Sequence, residues 1–158
     1  MCFRFLSSIL LAMTLAAGAW AADPLAFDNA WVRITPPNAP VAGAYMEIVN
    51  TSKDSDRLLS ASSDSAERVE IHNMASAGTL MQMRQLTAGL AIPAGQRVAL
   101  APGGAHLMLI APKRAITEGQ SIVITLVFEK AGTRRLQFTA AKQAPKAETP
   151  MPDHHHKH

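Results

Sequence analysis

Short runs of β-branched and alternating apolar residues, cut by turn-forming residues every eight to twelve positions, constrain this chain most. Period-two alternation buries one face of a strand and wets the other, and breaks at that spacing leave little room for helices of ordinary length. Strands are expected near Ala30–Thr35, Ala44–Asn50, Arg57–Ser62, Arg68–Met74, Leu80–Leu86, Arg97–Leu100, His106–Ala111, Ser121–Glu129 and Thr133–Thr139. Between them lie Pro36-Pro37-Asn38-Ala39-Pro40, Asn50-Thr51-Ser52-Lys53-Asp54, Ser62-Ser63-Asp64-Ser65, Pro93-Ala94-Gly95 and Pro102-Gly103-Gly104, rich in the residues that turns demand. No amphipathic helix is expected, only a short turn within Lys113–Glu118. The pattern predicts an all-β sandwich or barrel.

The start of the chain bears on compartment. Arg4 precedes an apolar run from Phe5 to Ala17, and Ala19-Trp20-Ala21 offers a small-x-small cleavage site, so residues 1–21 are expected to be a secretory signal peptide. The run is shorter than the roughly 20 apolar residues that span a bilayer. A periplasmic location with no stable membrane insertion after cleavage follows. About 137 residues remain, enough for one hydrophobic core, and the domain is placed at 22–141. With the leader's arginine set aside, the net charge of +3 falls to about +2, too small and too dispersed for a nucleic-acid partner.

Cysteine narrows the chemistry further. The only one, Cys2, lies inside the leader and far from its cleavage site. Disulfides, thiol catalysis and a Cys-ligated blue-copper centre are thereby excluded from the mature domain. What remains is a set of imidazole and thioether donors: His72, Met83, His106 and Met108, with Met74 and Met81 nearby. Thioether sulfur is soft and selects Cu(I), and imidazole also suits copper. His72 and Met74, Met81 and Met83, and His106 and Met108 each share a strand face, because their spacing is even. A hairpin centred between Ala77 and Gly78 is expected to set His72 opposite Met83 and Met74 opposite Met81, with Cβ atoms ~5 Å apart. The Gly103-Gly104 pair would let His106 and Met108 approach from a third strand, while Leu107 and Leu109 face the core.

Duller roles compete with these. Met46 and Met81 read first as core filling, and Met74 stands open between core and ligand. The repeated His-x-Met unit at His72 and His106 favours ligation for both imidazoles, since period two points both donors the same way. Beyond about Ala141 the composition shifts to proline, alanine and charge, and residues 142–158 are expected to be a disordered tail. It carries Met151, His154, His155, His156 and His158, a metal-binding cluster by composition, with an expression-tag remnant or inert tail as the alternative. No Ser/His/acid arrangement or pair of carboxylates stands out, so no enzyme is expected.

These residues carry a family resemblance. Ala30-Trp31-Val32-Arg33 followed by Pro36-Pro37, Ala44-Tyr45 followed by Asn50-Thr51, Val69-Glu70-Ile71-His72-Asn73-Met74, Met81-Gln82-Met83-Arg84, Ile92-Pro93-Ala94-Gly95 and Pro102-Gly103-Gly104-Ala105-His106-Leu107-Met108-Leu109 resemble the periplasmic copper chaperones of the PCuAC type. The resemblance spans Ala30 to Ala140. It implies a cupredoxin-like Greek-key β-sandwich holding one Cu(I) through His72, Met83, His106 and Met108, with Met74 as a near neighbour. It also implies a Cu(II)-binding role for the Met- and His-bearing tail, and delivery of Cu(I) to the copper centre of a respiratory oxidase through an oxidase subunit or an assembly factor. A monomer is expected. A general periplasmic copper buffer or resistance protein without a dedicated acceptor is the alternative, and a purely structural sandwich the dullest one. Ligand imidazoles must be neutral, so copper release is expected as pH falls below the ordinary imidazole value of about 6.5.

Overall fold

The computed structural model describes residues 23–77 and 80–145. The expected signal peptide, and the tail donors Met151, His154, His155, His156 and His158, lie outside those residues. Ten strands follow in chain order: β1 (Leu25–Arg33), β2 (Val41–Asn50), β3 (Asp56–Ser62), β4 (Ala66–Ala77), β5 (Leu80–Gln85), β6 (Leu90–Ile92), β7 (Arg97–Leu100), β8 (His106–Pro112), β9 (Ser121–Phe128) and β10 (Gly132–Ala141). Among the described residues there is no helix.

Two strands depart from expectation, each for a physical reason. β1 begins at Leu25 rather than Ala30, because a bulge between Asp28 and Trp31 interrupts its pairing with β2 and breaks the alternation that marks a strand. Asn29 takes φ 53° there, a left-handed conformation that a short amide side chain tolerates better than most. β6 has only three residues, too few to alternate visibly, and is held by pairing Asp56 with Ile92 and Leu58 with Leu90.

The strands run in the order β5-β4-β8-β2-β1-β10-β9-β3-β6, and a further pairing of β3 with β4 at Ala61 and Val69 closes the middle of that order on itself. β10 lies parallel to β1 while the other pairings are antiparallel. The result is a closed, cupredoxin-like Greek-key β-sandwich. Its interior is filled by alternate residues: Ile122, Ile124 and Leu126 of β9, Leu107 and Leu109 of β8, Val32, Ile48, Leu58 and Phe138 are all essentially inaccessible. Each such side chain contributes about 1.5–3 kcal/mol by leaving water. Met46 joins them, as expected of a core methionine.

Polar anchors hold the loops of this frame. The Asp56 carboxylate accepts backbone N–H bonds from Arg57 (2.7 Å), Lys130 (2.9 Å) and Ala131 (2.9 Å), tying β3 to the β9–β10 turn. Burial pushes its carboxyl up, but these three donors and the Lys130 charge together hold it below the usual range. Asn50, fully buried, donates to the carbonyls of Asp54 and Ile92 and accepts from Ser52, fixing the turn that follows β2.

One edge of β2 is shared. Its first half pairs with β8 (Gly43 with Met108) and its second half with β7 (Met46 with Leu100). The tight connection between β7 and β8, with Gly103 at φ 83° and Gly104 N–H bonded to Ala101 O, delivers His106 onto the middle of the wall.

Candidate metal centre

The core takes the odd-numbered residues of β4 and β8 (Val69, Ile71, Leu107, Leu109), so the even-numbered ones stand on the outer face of the wall. There the ladders bring His72 opposite His106, Glu70 opposite Met108, Met74 opposite Met83, and Met108 opposite Gly43. The imidazole centroids of His72 and His106 are 5.9 Å apart. Met74, Met83, His106 and Met108 line one surface depression of about 280 Å³, with Tyr45 and Arg33 at its side. A hollow of similar size at the far end of β8, lined by Asp64, Lys113, Arg114 and Ile116, holds neither imidazole nor thioether.

The expected hairpin register needs correction. β4 and β5 pair Met74 with Met83, Ser76 with Met81 and His72 with Gln85, two residues away from the register that put His72 opposite Met83 and Met74 opposite Met81. The described ladder ends with Ala77 opposite Leu80. A slip of two preserves the face of every side chain. Met83 therefore still joins the depression, now across from Met74, while His72 finds its partner on β8. Met81 is 57% exposed and is not a core residue; it sits toward the hairpin end, outside the depression.

Both rings are held by hydrogen bonds that leave one nitrogen free. His106, 6% exposed, bonds through Nδ1 to the carbonyl of Gly104 at 2.9 Å. A carbonyl oxygen only accepts, so that nitrogen carries the proton and Nε2 keeps its lone pair. The same Gly104 oxygen accepts the Met74 N–H at 3.3 Å, linking the two strands. His72 bonds through Nε2 to Glu70 at 2.8 Å, and its Nδ1 is buried without any hydrogen-bond partner. An unsatisfied buried group of this kind costs about 1–3 kcal/mol, a cost that a metal ion would remove. The donor set fits a soft monovalent ion: two imidazoles and the thioethers of Met74, Met83 and Met108, all neutral. Among the described residues no group of three or more His, Cys, Asp and Glu side chains is arranged to hold a metal. A hard divalent cation finds no such cage here.

Sequence patterning passed over four contributors: Glu70, Arg68, Tyr45 and Gly43. Glu70 is two positions before His72 and so on the same face; Arg68 Nε bonds its other oxygen at 2.7 Å. The Arg68 guanidinium, and then the His72 ring, hold its carboxyl below the usual range. Tyr45 lies 6.3 Å from the His106 ring and 4.6 Å from Trp31, centroid to centroid. A Cβ at Gly43 would collide with the Tyr45 hydroxyl, so glycine there lets the phenol keep its place over β2 at the side of the depression. The even spacing of Glu70 from His72, and of Gly43 from Tyr45 along β2, were the available signals.

Residues 25–140 match the family model LpqE-like, whose name marks its members as candidate lipoproteins. The chain belongs to this family, which is the PCuAC-type family of domains. A relative from Leifsonia xyli subsp. xyli, Lxx21020, likewise named as a candidate lipoprotein, is 30% identical over 112 residues, covering 71% of this chain and 66% of its own length. This chain thus spans just under two thirds of that relative. Among solved structures it is similar to the copper-bound PCuAC domain from PmoF2 (27% identity, TM-score 0.63, 80% of this chain and 97% of that one). It is similar also to the Cu(I) form of DR1885 from Deinococcus radiodurans (28% identity, TM-score 0.63, 80% and 83%).

Proposed function

We propose that this protein is a copper(I) chaperone of the periplasm, binding one Cu(I) through His72, Met83, His106 and Met108 and passing it to the copper centre of a respiratory oxidase. One observation carries this reading: a buried, partnerless imidazole nitrogen stands beside a depression lined by a second imidazole and three thioethers, on the outer face of the wall. The likeness to two copper-bearing PCuAC structures supports the same ion. Met74, directly across from Met83, is a further sulfur within the depression and suits a role in exchange.

Transfer, rather than catalysis, follows from the donor chemistry. Neutral donors leave the charge of the ion uncompensated. Met83 is 47% exposed, so an incoming ligand can reach the ion while the buried His106 still holds it. The leader expected at residues 1–21 and the lipoprotein name carried by the family model and by the Leifsonia relative support an extracytoplasmic location, and the tail donors Met151, His154, His155, His156 and His158 support a second, imidazole-rich site for Cu(II).

The test is a pair of titrations. Cu(I), competed against a chromogenic chelator, should bind the protein at one equivalent and be weakened in His72→Ala and Met83→Ala. Cu(II) should add a second equivalent to the full chain that is lost when the chain ends at Ala141. Transfer to a purified oxidase copper domain separates a dedicated chaperone from a general buffer, which would release copper to the chelator but not to that domain. Undiminished Cu(I) binding by both variants would sink the site assignment.

A further inference from the structure

His72 has two ring nitrogens, and only one of them can be aimed at a metal. The outer-face ladder decides which. Glu70 Oε2 takes Nε2 at 2.8 Å, and Glu70 Oε1 is itself taken by Arg68 Nε at 2.7 Å. A carboxylate accepts and does not donate, so Nε2 must carry the proton. The lone pair is then left on Nδ1, the one side-chain nitrogen or oxygen among the described residues that is buried with no partner. His106 is set the opposite way, its Nδ1 proton on Gly104 O and its lone pair on Nε2.

We infer that Glu70 is a positioning residue for copper: it fixes the Nε2–H tautomer of His72 so that Nδ1 faces the ion. Arg68 is the other half of the device. It holds the carboxylate in place, and it dictates what a neutral substitute at Glu70 can do. The inference rests on the copper-site assignment above, but adds two residues and a ligand atom to it.

The arrangement predicts a particular double-variant result. In Glu70→Gln the Arg68 guanidinium, a donor only, claims the amide oxygen and leaves the amide NH2 pointing at His72. That NH2 needs an acceptor, so the ring proton must move to Nδ1, blocking the lone pair the metal requires. In Arg68→Ala/Glu70→Gln nothing claims the amide oxygen. The amide can turn it back to the ring, and Nε2–H is restored. Outer-shell partners of ligating histidines are typically worth 10–100-fold in metal affinity.

The experiment reads tautomer and affinity separately. Long-range 1H–15N correlation of the copper-free full chain at about pH 8, where ordinary imidazoles are neutral, reports which nitrogen of His72 bears the proton. Cu(I) affinity comes from chelator competition. The expected results are Nε2–H in the wild type, Nδ1–H with about 10–100-fold weaker Cu(I) in Glu70→Gln, and a return of both signals toward wild type in Arg68→Ala/Glu70→Gln. A wild-type Nδ1–H tautomer overturns the inference, as does unchanged affinity in Glu70→Gln, or a loss of affinity there with the tautomer unmoved. The parent assignment is judged by other variants. If His72→Ala and Met83→Ala bind Cu(I) as tightly as the wild type, the site itself fails whatever Glu70 does.

Discussion

The two flanks of the barrel are built to opposite specifications. On one, β9 and β10 pair without interruption from Thr139–Ser121 to Gly132–Phe128, and their inner residues Ile122, Ile124, Leu126 and Phe138 are sealed from water. On the other, β5 hangs at the end of the strand order with every residue exposed, including Leu80, Met81 and Met83. The first flank stores stability. The second gives up burial to keep sulfur reachable, and a chain can do so only because the first has enough to spare. If Met83 releases an ion, as proposed, it stands where the fold depends on it least.

The sharpest way to break this contrast is to cut into the sealed flank. Phe138→Ala should lower stability by about 3–5 kcal/mol, since it removes a large buried ring and leaves a cavity, as measured by denaturant unfolding. Met83→Ala should change the same measurement by no more than about 0.5 kcal/mol. Equal losses in the two would erase the distinction. His106→Ala and Met83→Ala should each weaken Cu(I) by about 100-fold, equivalent to about 2.7 kcal/mol, in chelator competition. If Phe138→Ala, once folded, weakened Cu(I) as much, metal binding would be a property of the whole frame and not of one face.

A smaller effect separates the flanks by pH. Asp56 anchors the sealed side with a carboxyl held below its ordinary value, so the folded state binds its proton more weakly than the unfolded chain does. Its contribution is fully present above the unfolded value of about 3.9 and is lost as pH falls through the lower folded value. Asp56→Ala should cost about 1–3 kcal/mol at neutral pH by leaving buried N–H groups unpaired, and should flatten the acid limb of the stability curve. Smallest of all is Met81→Ala. This thioether shares the face of Met83 but lies outside the depression, so both stability and Cu(I) affinity should stay within about 0.5 kcal/mol of wild type. A tenfold loss of Cu(I) would extend the site along the hairpin.

How much of this was legible beforehand depends on which physical signal carries each feature. Parity is local: even spacing put His72 with Met74 and His106 with Met108 on one face, and Leu107 and Leu109 on the other, and that holds in the fold. Register is not local, because it depends on which two residues make the turn. The hairpin slipped by two and exchanged the partners of His72 and Met83 while leaving their faces unchanged. The bulge at Asn29 hid the first half of β1, and three residues were too few to announce β6. The Glu70 and Gly104 contacts were half legible: each lies two residues from its histidine, but which ring nitrogen makes the bond is set by side-chain angles that spacing does not carry.

β8 is zipped on both sides, to β4 and to β2, so withdrawing Met108, paired with both Glu70 and Gly43, would tear two ladders; β5 has a single neighbour, and only one ladder resists the outward swing of Met83. Under the proposed function, departure of the cargo would then have a built-in sequence, opening from the fringe of the fabric inward, with the histidine on the doubly stitched strand the last to release its grip.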